Sequence, residues 1–512
     1  MKVAFTFTKH KSKHLPMKRY LTHLIFGLLP LSILLTGCPP IDIVGPGDTQ
    51  NGTPLGRLTI TPKTVEGGKF PSVGPLNEEL NEDDKPFPVP LGKDIGNMTP
   101  RDPATKVDAA DLDGGSEAPV FFPGYNELDD AQAASHPINP EPTVAENGET
   151  ILTAGNFWVA LSLDGGGSFN SVNPTTIFPE DYGGFCCDQV LNYVPEYDLF
   201  VWLLQYRADA SGQNAIRIAV QTTDKVRNSN GTAWTYWDFT NDQFAANGVL
   251  DRNDMSFGNN YVYWSTSVNG GNNRYAIRMP LKELAAKSAL SAQFAGPSAA
   301  RFSHVTQNGG NAVYWAGHKD NSTLTVFSME DNENVWRTRD VNVNSWPQNI
   351  STSIAKDGND WLADGAQKYY IRAAAMRGVT AIFAWNASAG GGFPQPHVQI
   401  VEINTRNWTL SKQMQVWNRD FAFAYPYFET NSKGELGMIT GFGGGDFDAS
   451  NGVGVWGDFV VYYPRLSSAS QNNYGHYITA RRSGSKPQEW VATGYTYEAD
   501  GTVLPYYIGF RH

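Results

Sequence analysis

Two adjacent cysteines, Cys186 and Cys187, followed directly by Asp188, form the densest cluster of reactive side chains in this 512-residue sequence. Outside the cytoplasm, adjacent thiols can oxidise to a vicinal disulfide, an eight-membered ring that makes a stiff apolar platform beside a ligand. The pair can equally remain two buried thiols, or bind a soft metal together with a nearby histidine. Asp188 also belongs to a wider pattern. Polar, aromatic or ionisable residues recur near the start of seven similar segments: Glu141, Asp188, Asp254, His304, Arg372, Tyr425 and His476. If those starts face one channel, two or three carboxylates there raise one another's pKa and can serve as acid and base. They can also hold a cation with His304 or His476, and Ca²⁺ is the one cofactor the pattern brings into view. The plain alternative is that they hydrogen-bond neighbouring strand ends and fill a wet channel. Two other candidates are weak. Asp108, Asp111 and Asp113 lack the glycine and distal glutamate of a calcium-binding loop, and GGGDFDASNG (443–452) lacks the strand–helix context of a phosphate loop.

The elements that must position these residues are strands. From about residue 140, apolar or aromatic runs of four to eight residues alternate with Gly, Asn, Asp and Ser clusters, as in DLFVWLLQY, NYVYWSTSV, NAVYWAGH and TAIFAWNAS. Helical periodicity is confined to PLKELAAKSALSAQF (280–294), so the chain is read as all-β. Each run follows a similar first strand and turn, with starts near 141, 187, 253, 303, 371, 425 and 476. Spacings of this size fit one four-stranded blade plus variable loops, which predicts a β-propeller. Seven starts predict seven blades. The last has room for only two strands before His512, so it must close on an earlier segment, with the strand near 58–64 the candidate, and six blades is the alternative count. Trp202, Trp264, Trp315 and Trp385 sit at similar offsets in the runs and are expected in the inter-blade core.

Ser162-Leu163-Asp164-Gly165-Gly166-Gly167-Ser168-Phe169 resembles the Asp-box, a turn motif of sialidase-like propellers (the BNR repeat). The resemblance assigns Ser162, Asp164, Gly166, Ser168 and Phe169 to a structural turn at a blade periphery. Asp164 would accept backbone N–H groups, and glycines would supply positive φ. More broadly, residues 141–512 resemble a family of secreted bacterial propeller proteins through EPTVAENGETILTAGNFWVALSLDGGGSF, GGFCCDQVLNYVPEYDLFVWLLQY and AYPYFETNSKGELGMITGFGGG. Where those relatives tend to carry Arg-Trp-Gly-Asp-Tyr, this chain has Asn473-Tyr474-Gly475-His476-Tyr477, so a site role there is not transferred. Sialidase chemistry would need an Arg-Ile/Leu-Pro motif before the first Asp-box, whereas Arg278-Met279-Pro280 comes well after it. Arg301, Arg372 and Arg481 could still meet in a central funnel.

The N-terminus supplies an address. Six basic residues and no acid precede LTHLIFGLLPLSILL, which ends in Leu35-Thr36-Gly37-Cys38. A basic segment, a short apolar core interrupted by Pro30 and a small-residue cut site make a secretory signal, not a retained membrane span. The last four residues resemble the lipobox of bacterial lipoproteins, which implies cleavage after residue 37 and acylation (palmitate among the chains) of Cys38. Residues 1–37 are then the signal, 38–140 a flexible tether with an acidic and Pro-rich lead-in, and 141–512 the propeller. Pro39 in place of aspartate leans the resemblance towards the outer membrane or cell surface. A lipid anchor on Cys38 makes the bilayer a partner.

Removing the six basic signal residues leaves 33 basic against 51 acidic residues, a net charge of −18. Such a surface repels phosphate backbones, so no nucleic-acid partner is expected. No nucleophile elbow, zincin helix or P-loop is present. The leading expectation is an extracytoplasmic, anchored propeller that binds a glycan or other polymer through its central funnel. The alternatives are a sialidase-type glycoside hydrolase or lyase, and a structural component of a cell-envelope complex.

Overall fold

A computed structural model describes residues 52–67, 87–90, 121–128, 140–244, 248–268, 273–349, 351–363, 369–458, 460–472, 474 and 477–512. All lie in one compact unit, Gly47–His512. Cys38 with its signal, the loop around Asp108, and His476 lie outside the described residues. Among the described residues no helix is long and apolar enough to cross a membrane.

The apolar runs form seven separate antiparallel sheets of four or five strands, the blades of a seven-bladed β-propeller. Their innermost strands are Thr143–Asn147, Phe185–Val194, Leu250–Phe257, Ala373–Arg377, Ala422–Thr430 and Thr479–Arg482. In the fourth blade the inner place is taken by residues 303–307, which are not a regular strand. There Thr306 donates its N–H to Tyr314, and Gln307 bridges in parallel to Ala375 of the fifth blade. All seven begin within three residues of the predicted starts. Trp202, Trp264, Trp315 and Trp385 are fully buried, which is the packing that blades stacked face to face require.

The lead-in is where the structure departs most from expectation. β1 (Thr53–Pro54) pairs with the edge of blade four, β2 (Gly56–Ile60) with that of blade three, and β3 (Lys63–Glu66) with that of blade two. β4 (Phe87–Pro90) pairs with the edge of blade six, and β5 (Phe121–Glu127) with the last strand of blade seven. The described parts of 38–140 are therefore strands of the propeller rim, not a tether, and the propeller does not begin at 141. The strand near 58–64 does not close the seventh blade; β5 does, as its fourth strand. Outer blade edges present unpaired N–H and C=O groups, and short strands laid along them satisfy those groups without needing an apolar core of their own.

The predicted helical stretch is also shorter than expected. Only Leu281–Ala285 is helical, and Leu290–Ala299 is the fourth strand of blade three. Between the third and fourth strands of blade one, Asp164 accepts from the Ser162 hydroxyl (2.7 Å), the Ser168 N–H (2.9 Å) and the Ser168 hydroxyl (2.5 Å). Gly165 and Gly166 have positive φ, and Phe169 is fully buried beneath the turn. Partial burial works against the charge of Asp164, but the bonds from Ser168 and Ser162 outweigh it and hold the carboxyl below its ordinary range. This turn is far from the channel and does structural work.

Candidate functional site

The approach to the inner strand has the same backbone device in five blades. Glu141, Asp188, Arg252, Phe302 and Tyr425 all have φ between 41° and 59°. In blades two, three and six that residue sits in a register shift, between Cys187 and Val190, Asp251 and Asp254, and Ala424 and Tyr427. A left-handed non-glycine residue costs about 1–3 kcal/mol and survives only where its surroundings hold it. Here side-chain amides do so: Asn156 accepts the N–H of Asp188 at 3.0 Å, and Asn386 that of Tyr425 at 2.7 Å.

This device corrects the single predicted ring. Glu141, Asp188 and Tyr425 occupy the left-handed position, whereas Asp254 and His304 each stand two residues further along, as does Arg372 when its blade is aligned on Tyr370. There are thus two rows. Glu141, Asp188, Asp254 and His304 border one small cavity, together with Tyr427, Tyr477 and Arg481. Tyr425 instead packs against Trp361 and Tyr474, and Arg372 stacks on it, 5.0 Å from its ring centroid. The cavity holds about 20 Å³, room for about one water. The side chains bordering it leave room there for nothing larger.

At the channel mouth Glu141 stands within hydrogen-bonding reach of Asp188, and burial, with Glu141 and Asp251 nearby, pushes the Asp188 carboxyl well above its ordinary pKa. Carboxyls this close disfavour each other's charged form. Arg252 closes this group: its backbone N–H donates to Asp188 at 3.2 Å, and its guanidinium lies 3.8 Å from Glu141 and from Asp251. Beside Asp188, Cys186 and Cys187 form a disulfide with Cα atoms 3.7 Å apart. Gln205 ties the ring to the next blade, its amide nitrogen 3.8 Å from the Cys187 sulfur and 3.2 Å from Asp251.

Deeper in the channel, Asp254 meets His304 Nδ1 at 3.3 Å, the Tyr427 hydroxyl at 3.2 Å and the Val305 N–H at 2.9 Å. Burial would raise the Asp254 pKa, but His304 and Arg481 outweigh it and hold it low. Burial pushes His304 the other way, below its ordinary value, and Arg274 and Arg372 reinforce this. Arg481 donates to the Tyr427 hydroxyl, which extends the inner network across to blade seven.

Across the mouth, Phe302 and Tyr370 meet edge to face at 4.7 Å. Arg301 lies 5.0 Å from the Phe302 centroid and 5.2 Å from that of Tyr370, and Arg252 lies 5.5 Å from Phe302. Arg301 and Arg372 thus flank Tyr370, but Arg481 lies below with Tyr427, so the three arginines do not meet at one point. Among the described residues no group of three His, Cys, Asp or Glu side chains is placed to hold a metal ion. Sequence reasoning missed Arg252, Phe302, Tyr370, Tyr427 and Tyr477. The two-residue offset between rows was the signal that could have found them.

No protein-family model and no curated protein sequence matches the chain. Solved structures do share its architecture. An α-L-arabinanase of Penicillium chrysogenum, complexed with arabinobiose, is 9% identical with a TM-score of 0.35, covering 83% of this chain and 98% of its own. The GH93 α-L-arabinofuranosidase of Fusarium graminearum is 10% identical with a TM-score of 0.37, covering 76% and 97%. The β-propeller domain of the Trilobed protease of Pyrococcus furiosus is 6% identical with a TM-score of 0.39, covering 72% and 94%. At these identities none carries a substrate across to this chain.

Proposed function

We propose that this protein is an exported, lipid-anchored propeller that binds a glycan across the mouth of its central channel. The observation that carries the reading is the pairing, at one mouth, of the Glu141–Asp188 carboxyl pair and its disulfide with the Phe302–Tyr370 platform flanked by Arg252 and Arg301. Carboxyl and guanidinium groups suit the hydroxyls of a sugar, and aromatic faces suit its C–H surfaces. Anchoring through Cys38 rests on the lipobox resemblance and would place the mouth outside the cytoplasm, at the outer membrane or cell surface.

Binding is favoured over hydrolysis by the carboxyl geometry. Glycosidases using two carboxylates keep them about 5–5.5 Å apart when retaining and about 6.5–9.5 Å apart when inverting. Glu141 stands within hydrogen-bonding reach of Asp188, closer than either spacing. The test is a glycan array probed with wild type and Asp188→Ala, with reducing-end release measured on every ligand retained. Retention without turnover, lost in the variant, supports the reading. Turnover abolished by the variant would replace it with a hydrolase, and co-purifying envelope proteins without glycan retention would favour a scaffold.

A further inference from the structure

The inner strands run from the mouth to the opposite face, where their hairpins into the second strands gather. Between the hairpins of blades two to five lies a groove of about 820 Å³, far larger than the channel cavity. That volume falls in the range that encloses a small-molecule ligand, about 300–1,000 Å³. None of the residues bordering it borders the channel cavity.

We propose that this groove is a second binding site and that its ligand is a neutral oligosaccharide. Its aromatic surface comes from Tyr197, Tyr261 and Tyr314. Tyr261 is held rigid, because the Arg278 guanidinium lies 4.7 Å from its ring centroid. Arg278 is itself pinned by the Gln293 side chain at 2.9 and 2.6 Å and by the Glu333 carbonyl at 2.6 Å. A ring fixed in this way can stack on a sugar at little cost in side-chain entropy. The polar groups are fixed too. Asp331 accepts from the Tyr263 hydroxyl and from the Asn260 amide at 2.9 Å, and it borders the groove as a preset acceptor for sugar hydroxyls. The Asn311 side-chain oxygen accepts from Asn259 at 2.8 Å, which turns its amide into the complementary donor.

Charge selects against acidic sugars. Among the described residues, Glu330 and Asp331 are the carboxylates bordering the groove, and Lys282 is the one cation beside them. An anionic ligand would meet net repulsion and desolvate those carboxylates without a partner. Acceptors, an amide donor and three tyrosines together fit an uncharged polyol ring.

The full chain, titrated calorimetrically with maltohexaose, cellohexaose and xylohexaose and with trigalacturonate as the acidic control, tests this. At least one neutral hexamer should bind, and Tyr261→Ala should weaken it about tenfold or more. Asn311→Asp, an exposed change that replaces the donor with an acceptor, should weaken it similarly while the melting temperature stays at the wild-type value. Asp188→Ala, at the far mouth, should leave this binding intact. The proposal is overturned if no neutral hexamer binds, if binding survives both groove variants, if Asp188→Ala removes it, or if trigalacturonate binds the groove as well as the neutral ligands.

Discussion

Glu141 of blade one and Asp188 of blade two stand within hydrogen-bonding reach at the channel mouth, and burial together with Glu141 pushes the Asp188 carboxyl well above its ordinary range. A hydrogen bond between two carboxyls requires a proton on one of them. A carboxyl whose folded pKa is raised contributes stability that is complete below its unfolded value and is lost as pH rises through the folded value. Asp188→Asn replaces the proton with a permanent amide donor. Its melting temperature should equal or exceed the wild type at pH 8, and the advantage should shrink at pH 5. Each unit of elevation is worth about 1.4 kcal/mol. A variant whose difference from wild type is the same at both pH values would show that the proton is not shared.

His397 is fully buried, stacked on Phe393 with ring centroids 4.0 Å apart. Its Nδ1 faces the Gln395 carbonyl at 3.3 Å and its Nε2 faces the Gln399 amide nitrogen at 2.8 Å. The first contact needs a donor and the second an acceptor, so the neutral Nδ1–H tautomer satisfies both. Burial pushes its pKa down to about 3. For a base with a depressed folded pKa, stability is complete above the unfolded value of about 6.5 and falls as pH drops through that value. One imidazole should therefore keep its neutral ¹⁵N shifts to pH 4.5, while the melting temperature declines below pH 6. Protonation of every histidine near pH 6 would contradict this.

How much of this was legible in the sequence depended on which force placed each residue. The blades were legible because period-two runs such as NYVYWSTSV and the repeated tryptophans report burial directly. The channel rows were legible only in part. The left-handed position is filled by Glu, Asp, Arg, Phe and Tyr in different blades, so no residue type marks it, and a bulge shifts the count by two. Of the rim strands β1 to β5, the stretch near 58–64 was read as a strand but given to the wrong blade, and the rest were read as tether and lead-in. They are held by backbone hydrogen bonds to blade edges, and backbone pairing leaves little trace in side-chain pattern.

One rim strand has a side-chain clasp. Lys63 of β3 reaches Asp238 at 2.9 Å, and Asp238 also holds the fully buried Arg217 at 2.7 Å. Arg217 in turn bonds Asp181 at 2.7 Å and the Tyr206 hydroxyl at 2.6 Å. Arg217→Ala strips the charge partner from buried Asp238 and should cost about 3–5 kcal/mol in denaturant unfolding. Lys63→Ala removes a half-exposed cation and should cost no more than about 1 kcal/mol. Equal losses in the two variants would mean that the clasp, and not the buried arginine, dominates.

Gly437 offers a packing test of blades six and seven. A Cβ there would lie 2.4 Å from the Trp490 ring, and Trp490 is itself stacked flat on Phe510 at 5.3 Å. The ring has no room to retreat, so Gly437→Ala should destabilise the fold by about 1–3 kcal/mol or more. An unchanged melting temperature would show that these blades can slide apart.

The Cys186–Cys187 ring sits at the channel mouth, directly before Asp188. The bonded pair directly precedes Asp188, whose backbone is left-handed with φ 41°. Protein purified without reductant should give an unreduced peptide two hydrogens lighter than the dithiol form and resistant to alkylation. Reduction should then free both thiols. Cys186→Ser with Cys187→Ser keeps the side-chain size but removes the ring, so the fold should survive while retention of a mouth-bound glycan falls. The effect should be confined to the mouth, because Asp254 beneath is held separately by the Val305 N–H and the Tyr427 hydroxyl. A pair that alkylates before reduction would remove the ring from the site. Unchanged glycan retention in the double variant would show instead that the ring is present but does not shape the mouth.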